Sequence, residues 1–256
     1  MVIVEENQGY SNIIGNSQAP YINNLASTYA SATQWFGLTD YSLADYVALI
    51  SGTTNSYGAP TLVGELANAG ISWKAYMEDA PSACYTGGAV GHYGKDHNPF
   101  VHFNSITGTP TQCNRIVPFA GSGGFASDLN GNTAPSFMFV VPNVCDDMHS
   151  SCGSNRVQQG DRWLKANLPT VLNSQWYLNG GTVIITWDSA TTADKSGWNT
   201  GNGGHIPTIV ISAASSGAFT SGGNHYGTLR AIEQAYGVGL LGKSSNAANG
   251  DLTPAF

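Results

Sequence analysis

Apolar runs along this chain keep stopping at acids, hydroxyls or imidazoles. Met1-Val2-Ile3-Val4 ends at Glu5-Glu6-Asn7, and Phe137-Met138-Phe139-Val140-Val141 ends at a loop carrying Asp146, Asp147 and His149. Gly181 to Trp187 ends at Asp188, and Thr208-Ile209-Val210-Ile211 ends at Ser212. These runs read as strands. In a parallel α/β sheet the C-terminal strand ends share one edge, where ligands bind, so polar groups far apart in sequence are expected to converge there. Helical periodicity is clearest over 59–70, with Pro60 suited to the first turn and Gly70 to the stop. Ile71 to Tyr76 reads as the next strand, which gives strand–helix–strand units of parallel-sheet type. Helices are also expected over 155–173, with Trp163, Leu164 and Leu168 on one face, and over 224–236, with Leu229, Ile232 and Ala235 inward. Between 79 and 135 the chain is rich in Gly, Pro and Asn and reads as a long irregular excursion. The expected fold is a single α/β domain over 1–256, with a mainly parallel sheet and helices on both faces.

Composition narrows the partners. Nine Lys and Arg against a net charge of −7, with no basic cluster, exclude nucleic acid, which needs positive charge to displace counterions. An acidic surface also repels anionic membranes, and no apolar run approaches the ~20 residues that span a bilayer. The four cysteines form two local groups without a CxxC pattern. Of three possible pairings, Cys84–Cys113 and Cys145–Cys152 are expected as disulfides, with four reduced thiols as the alternative. The first pair would staple the 79–135 excursion. A secreted monomer is expected, its export signal removed ahead of Met1.

Ser42 opens the segment Ser42-Leu43-Ala44-Asp45-Tyr46-Val47-Ala48-Leu49-Ile50-Ser51-Gly52. Locally, Ser-x-x-Asp before an apolar run is a capping-box pattern. A hydroxyl at a helix N-terminus also faces unpaired N–H groups and the positive end of the dipole, which suits a phosphate.

Six segments in order carry a family resemblance: VEENQGYSNIIGN, YSLADYVALISG, KDHNPFVHF, PNVCDDMHS, VIITWDS, and HIPTIVIS followed by NHYGTLRAIE. Together they resemble the bacterial and fungal phosphoesterase family, which includes acid phosphatases and phospholipases C, within the alkaline phosphatase superfamily. The resemblance spans nearly the whole chain and implies an alkaline-phosphatase-like core. It implies that Glu6, Asn7, Ser42 and Asp188 hold one divalent metal ion and that Ser42 is the nucleophile. His149 and His225 match histidines around the phosphoryl group, with His97, Asp45, Asp146 and Asp147 on the substrate side. A cation on these oxygens would lower the hydroxyl pKa, imidazoles would neutralise phosphoryl oxygens or protonate the leaving group, and a phosphoseryl intermediate would follow.

Four positions depart from the family pattern. Gln8 stands where a histidine is usual, Asp45 where an asparagine donates to phosphate, Asp40-Tyr41 where a His-Pro-like pair precedes the serine, and Ser189 where a second acidic ligand is usual. Asp45, in the first turn of the helix, would oppose a phosphate dianion. The expected function is a metal-dependent phosphoric-ester hydrolase acting on a small phosphate ester or a phospholipid. Two alternatives stay open. One is a catalytically impaired ligand-binding protein on the same fold. The other is a metal-free serine hydrolase, against which stands the lack of a G-x-S-x-G elbow. His205 is expected to order its turn, and His92 and His102 to be loop histidines.

Overall fold

The computed structural model describes residues 1–256. Its strands are β1 (Val2–Glu5), β2 (Ala30–Phe36), β3 (Trp73–Met77), β4 (Ile116–Pro118), β5 (Phe137–Val141), β6 (Val183–Trp187), β7 (His205–Ile211), β8 (Ala218–Phe219) and β9 (Gly223–Asn224). The helices are α1 (Tyr10–Ile13), α2 (Pro20–Thr28), α3 (Ser42–Ser51), α4 (Leu62–Asn68), α5 (Asn104–Thr107), α6 (Pro110–Cys113), α7 (Phe125–Asn130), α8 (Arg156–Leu172), α9 (Gln175–Leu178) and α10 (His225–Tyr236). All nine strands form one sheet in the order β4-β3-β5-β1-β6-β7-β2-β8, with β9 beside β2. Strands β1, β5 and β6 are buried at every position, as their unbroken apolar runs require in a sheet covered on both faces. Helix α8 packs with α2, α7 and α9, while α3 packs with α4 and α10, which makes the two covering layers. One cluster of 60 buried residues joins the long strands to these helices, so both layers share a core with the sheet. No helix is long and apolar enough to cross a membrane.

Every pairing in the sheet is parallel except those of β7, which runs antiparallel to both β6 and β2. This reversal corrects one expectation. Ile211 pairs with Val183, at the start of β6, so Ser212 lies at the opposite edge from Asp188. The loop from Asp188 to Gly204 returns along the same edge, and β7 therefore begins where its neighbours end. Pairing of Phe36 with both His205 and Asn224 brings the end of β2, the start of β7 and the end of β9 to that edge.

Three local readings also shift. Helix α4 begins at Leu62, capped by Thr61, whose hydroxyl accepts the Gly64 N–H at 3.2 Å, so Pro60 lies before the first turn and not in it. The β3 strand starts at Trp73, not at Ile71. The 79–135 excursion is less irregular than its composition suggests, for it contributes β4 to the edge of the sheet through Ala75–Ile116 and Tyr76–Val117 pairings. Both expected disulfides are present, Cys84–Cys113 closing that excursion and Cys145–Cys152 closing the loop after β5.

Candidate active site

The site begins where β1 ends. Glu6 follows the last residue of β1, and its N–H donates to the Asp147 carbonyl at 2.7 Å, tying β1 to the loop after β5. Asn7 takes a left-handed φ of +51°, a conformation asparagine tolerates better than most residues. That turn lets its N–H donate to Asp188 Oδ1 at 2.8 Å and its amide to Glu6 Oε2 at 2.5 Å. Ser42 Oγ donates to the same Glu6 oxygen at 2.9 Å. Residues 181 apart in sequence therefore meet at one strand-end cluster, as parallel topology requires.

Ser42 does not cap its helix. It is the first residue of α3, behind Tyr41 at the N-cap, which makes no side-chain cap bond. The strand-end carboxylate has taken the hydroxyl that a capping box would use. Asp45 does not serve the cap either, nor does it line a phosphate cradle. Its carboxylate is fully buried and accepts from Leu38 N at 2.6 Å, Thr39 N at 3.2 Å and Thr39 Oγ1 at 2.6 Å. It braces the turn between β2 and α3.

The histidines fall into different environments. His97, in a 3-10 turn over Lys95–His97, is 6% exposed and bridges two acids. Its Nδ1 lies 2.8 Å from Asp147 Oδ2 and its Nε2 3.4 Å from Glu6 Oε1. His225 opens α10 and is wholly buried, with Nε2 2.5 Å from the Asp188 carbonyl and 3.5 Å from Asp45 Oδ1. His149 is exposed, its ring centred 5.2 Å from that of His97, and its N–H donates to Asp147 Oδ1 at 2.8 Å. Asp146 is not gathered with Glu6, because Gln159 and Asn143 donate to it at 3.2 Å each. His205 orders its turn, its Nε2 donating to Thr33 O at 3.0 Å and its ring stacking on Tyr10 with ring centres 4.4 Å apart.

Charge crowding dominates the electrostatics. Glu5, Glu6, Asp45, Asp147 and Asp188 are all fully buried along this edge. Burial, then the charges of Asp188 and Asp147, pushes the Glu6 carboxyl well above its ordinary range, against the pull of the Ser42 bond. Burial does the same to Glu5 and Asp45. For His97 burial opposes the imidazolium, but the Asp147 bond and charge outweigh it and the pKa rises. Burial lowers His149, helped by the neighbouring His97 charge, and lowers His225.

Buried carboxyls crowded this closely would ionise readily only beside a cation. Glu6 Oε1 is buried without a hydrogen-bond partner, and Asn7 Oδ1 accepts only from Ser189 Oγ at 3.3 Å. Glu6, Asn7, Asp188 and Ser42 offer oxygen donors, a set that suits a hard divalent ion. Ligating atoms of Glu6, His97 and His149 also lie within 4.8 Å of one another. These residues fit a metal ion.

Three contributors escaped the sequence reading. Tyr46 stacks on His97, ring centres 5.7 Å apart, and its buried hydroxyl has no hydrogen-bond partner. It lies four residues after Ser42, so helical spacing already placed it on the same face. Glu5 was visible only as a strand terminus, and nothing in its neighbours announces full burial. Gly160 matters too. A Cβ there would lie 2.4 Å from Met148, so glycine lets α8 press on the loop that carries Asp147.

A largely parallel sheet thus gathers a hydroxyl, buried acids and imidazoles at its strand-end edge. The chain belongs to the phosphoesterase family, whose model matches residues 15–239. It is 33% identical to a phosphatidylinositol-3-phosphatase of Mycobacterium tuberculosis, over 96% of this chain and 79% of that one. It is 25% identical to an acid phosphatase of Aspergillus fumigatus, over 88% of this chain, and spans about half (52%) of that protein. Among solved structures, a lipoteichoic acid synthase from Listeria monocytogenes superposes with a TM-score of 0.64 at 11% identity, over 97% of this chain and 75% of that one. A protein of the alkaline phosphatase superfamily from Vibrio parahaemolyticus gives 0.62 at 14% identity, over 93% and 65% of the two chains. The fold is that of the superfamily.

Proposed function

We propose that this chain is a metal-dependent phosphomonoesterase that uses Ser42 as nucleophile. The observation that carries the reading is the 2.9 Å bond from Ser42 Oγ to Glu6, inside a cluster of buried carboxylates with an unpartnered oxygen. A divalent ion on Glu6, Asn7, Asp188 and Ser42 would lower the hydroxyl pKa and offset phosphoryl charge. Glu6 orients the hydroxyl, and the first turn of α3 directs N–H groups at the phosphoryl oxygens. Ser42 Oγ–H would pass its proton to Glu6 as Oγ forms the new bond to phosphorus and the bond to the leaving oxygen breaks, and His149, in its imidazolium form, would give that oxygen its proton. Water then cleaves the phosphoserine.

The buried imidazoles take positioning roles in this scheme. His97 holds Glu6 and Asp147 apart at fixed geometry, and His225 holds the Asp188 backbone against Asp45. The relatives' names, all phosphatases, favour monoesters over phospholipase C chemistry. Two disulfides agree with an oxidising, extracytoplasmic location.

The test is turnover of p-nitrophenyl phosphate against bis-p-nitrophenyl phosphate, with and without a chelator, followed by acid quenching and peptide mapping. Faster monoester turnover, lost on chelation, with phosphate trapped on Ser42, is expected. Faster diester turnover would move the substrate class, and chelator-resistant turnover without phosphoserine would end the mechanism.

A further inference from the structure

The least satisfied buried group of the protein lies one residue before Glu6. Glu5 is wholly buried, and neither of its carboxylate oxygens has a hydrogen-bond partner. Trp187, its register partner on β6, is equally buried, and its indole N–H is also unpartnered. Protonation of Glu5 alone does not satisfy these three atoms, because a carboxylic acid adds a donor that needs an acceptor of its own.

Strand register shows where Glu5 points. Ile3, Val140 and Tyr76 share one row across β1, β5 and β3. Side chains alternate along a strand, so Glu5 and Glu78, each two residues further on, project from the same face as that row. The Glu78 N–H continues the ladder by donating to Val141 O at 3.0 Å. Two strand spacings, about 9.5 Å, separate the two backbones, a gap that two glutamate side chains with an ion between them can span. The face is the one under α8, for Trp163 donates to Glu78 Oε1 at 3.1 Å. Glu6 meets α3 through Ser42, on the other face. Asn143 brings in a third carboxylate: its N–H donates to Glu78 Oε2 at 2.9 Å and its amide to Asp146 Oδ2 at 3.2 Å. The bond from Glu6 N to Asp147 O ties the residue after Glu5 to the residue after Asp146. No lysine, arginine or histidine forms an ion pair with Glu5, Glu78 or Asp146. Glu78 and Asp146 are only half-buried, so the cluster opens to solvent at their end.

We propose that Glu5, Glu78 and Asp146 form a second cation site, under α8, for a hard divalent ion of the calcium type whose shell is completed by water. The donors are all oxygens, and calcium accepts about six to eight of them at about 2.3–2.6 Å in loose geometry. The ion would offset the buried Glu5 charge, and a water of its shell would give the Trp187 N–H an acceptor. It would also tie the ends of β1 and β3 to the loop after β5. The site does not depend on the hydrolase reading above.

The experiment uses Asp188→Asn protein, in which the ion site beside Ser42 is weakened, titrated with calcium and with terbium as its luminescent substitute. Calcium binding is expected in equilibrium dialysis, with terbium emission excited through Trp163 and Trp187. Adding Glu5→Gln should weaken calcium binding about tenfold or more and remove that emission. Adding Glu78→Gln, at the half-buried end, should weaken binding about three- to tenfold. Calcium should raise the thermal unfolding midpoint of the Asp188→Asn protein and not that of the Glu5→Gln double variant. If Glu5→Gln does not fold, the Glu78→Gln variant decides alone. Absence of calcium binding in the Asp188→Asn protein, or binding that neither glutamine variant changes, overturns the proposal.

Discussion

At its C-terminal strand ends the sheet buries Glu5, Glu6, Asp147 and Asp188, whereas at the opposite edge it buries Met1, Phe137 and Ile184. Beside those apolar residues lies an open groove of about 460 Å³, lined also by Trp176, Tyr236 and Phe256. The groove is sizeable, yet no acid or imidazole lines it. Size therefore does not locate the chemistry here. Strand direction does, since parallel strands deliver each loop's acids to one edge.

The sharpest way to break this comparison uses two serines, Ser42 opening an apolar run and Ser212 closing one. Ser42→Ala should cut turnover by about a thousandfold or more while the protein stays folded. Ser212→Ala, at the other edge, removes a hydroxyl that accepts from Ser215 N at 3.0 Å and Ala214 N at 3.3 Å. It should cost about 1 kcal/mol of stability and leave kcat within about twofold. Steady-state kinetics and denaturant midpoints on both variants decide. A comparable kinetic loss in each would mean that the edges are not distinct.

That pair also shows how far the sequence could be read. The strands β1, β5 and β6 were legible because burial on both faces demands unbroken apolar runs. The meeting of Glu6, Asn7 and Asp188 was legible because each comes just after a strand, and Ser42 joined them through the family resemblance. The reversal of β7 was not, for an apolar run carries no arrow. Nor was the inward turn of Asp45: its partners Leu38 and Thr39 are backbone and hydroxyl groups that local patterns do not single out. Strand β4 was hidden inside 79–135 because three residues are too few to show a period.

The two disulfides sharpen the same contrast between stability and chemistry. Chain entropy ranks them by loop length, with separations of 29 and 7 residues giving about 3.6 and about 2.4 kcal/mol. Replacing Cys84 and Cys113 by serine should thus lower the unfolding midpoint more. Replacing Cys145 and Cys152 should lower kcat/KM more, by about tenfold or greater, because their loop supplies the Asp147 carbonyl that fixes Glu6 and the carboxylate that holds His97. Unfolding curves set against kinetics would show the crossing. If both quantities fell in the same order, the short staple would have no special part in the site.

The smallest effect concerns a buried acid remote from the chemistry. Glu233 sits two turns along α10 from His225, fully buried, accepting from Leu241 N at 2.9 Å and Ser244 Oγ at 2.6 Å. Burial, opposed by those bonds, raises its pKa to about 7. The folded state therefore holds this proton more tightly than the unfolded chain does. Its stabilisation is complete below the ordinary carboxyl value of 4.5 and is lost as pH climbs through about 7. In metal-saturated protein, where the site carboxylates are held by the ion, wild type should lose on the order of 1–3 kcal/mol between pH 5 and 8 from this group. Glu233→Gln should flatten that fall, measured by denaturant unfolding at each pH, without moving the pH profile of kcat. Parallel stability curves for the two proteins would mean that Glu233 ionises freely. A shifted activity profile would mean that the acids at the strand-end edge are coupled to the far end of α10, and the two edges would then have to be treated as one electrostatic unit.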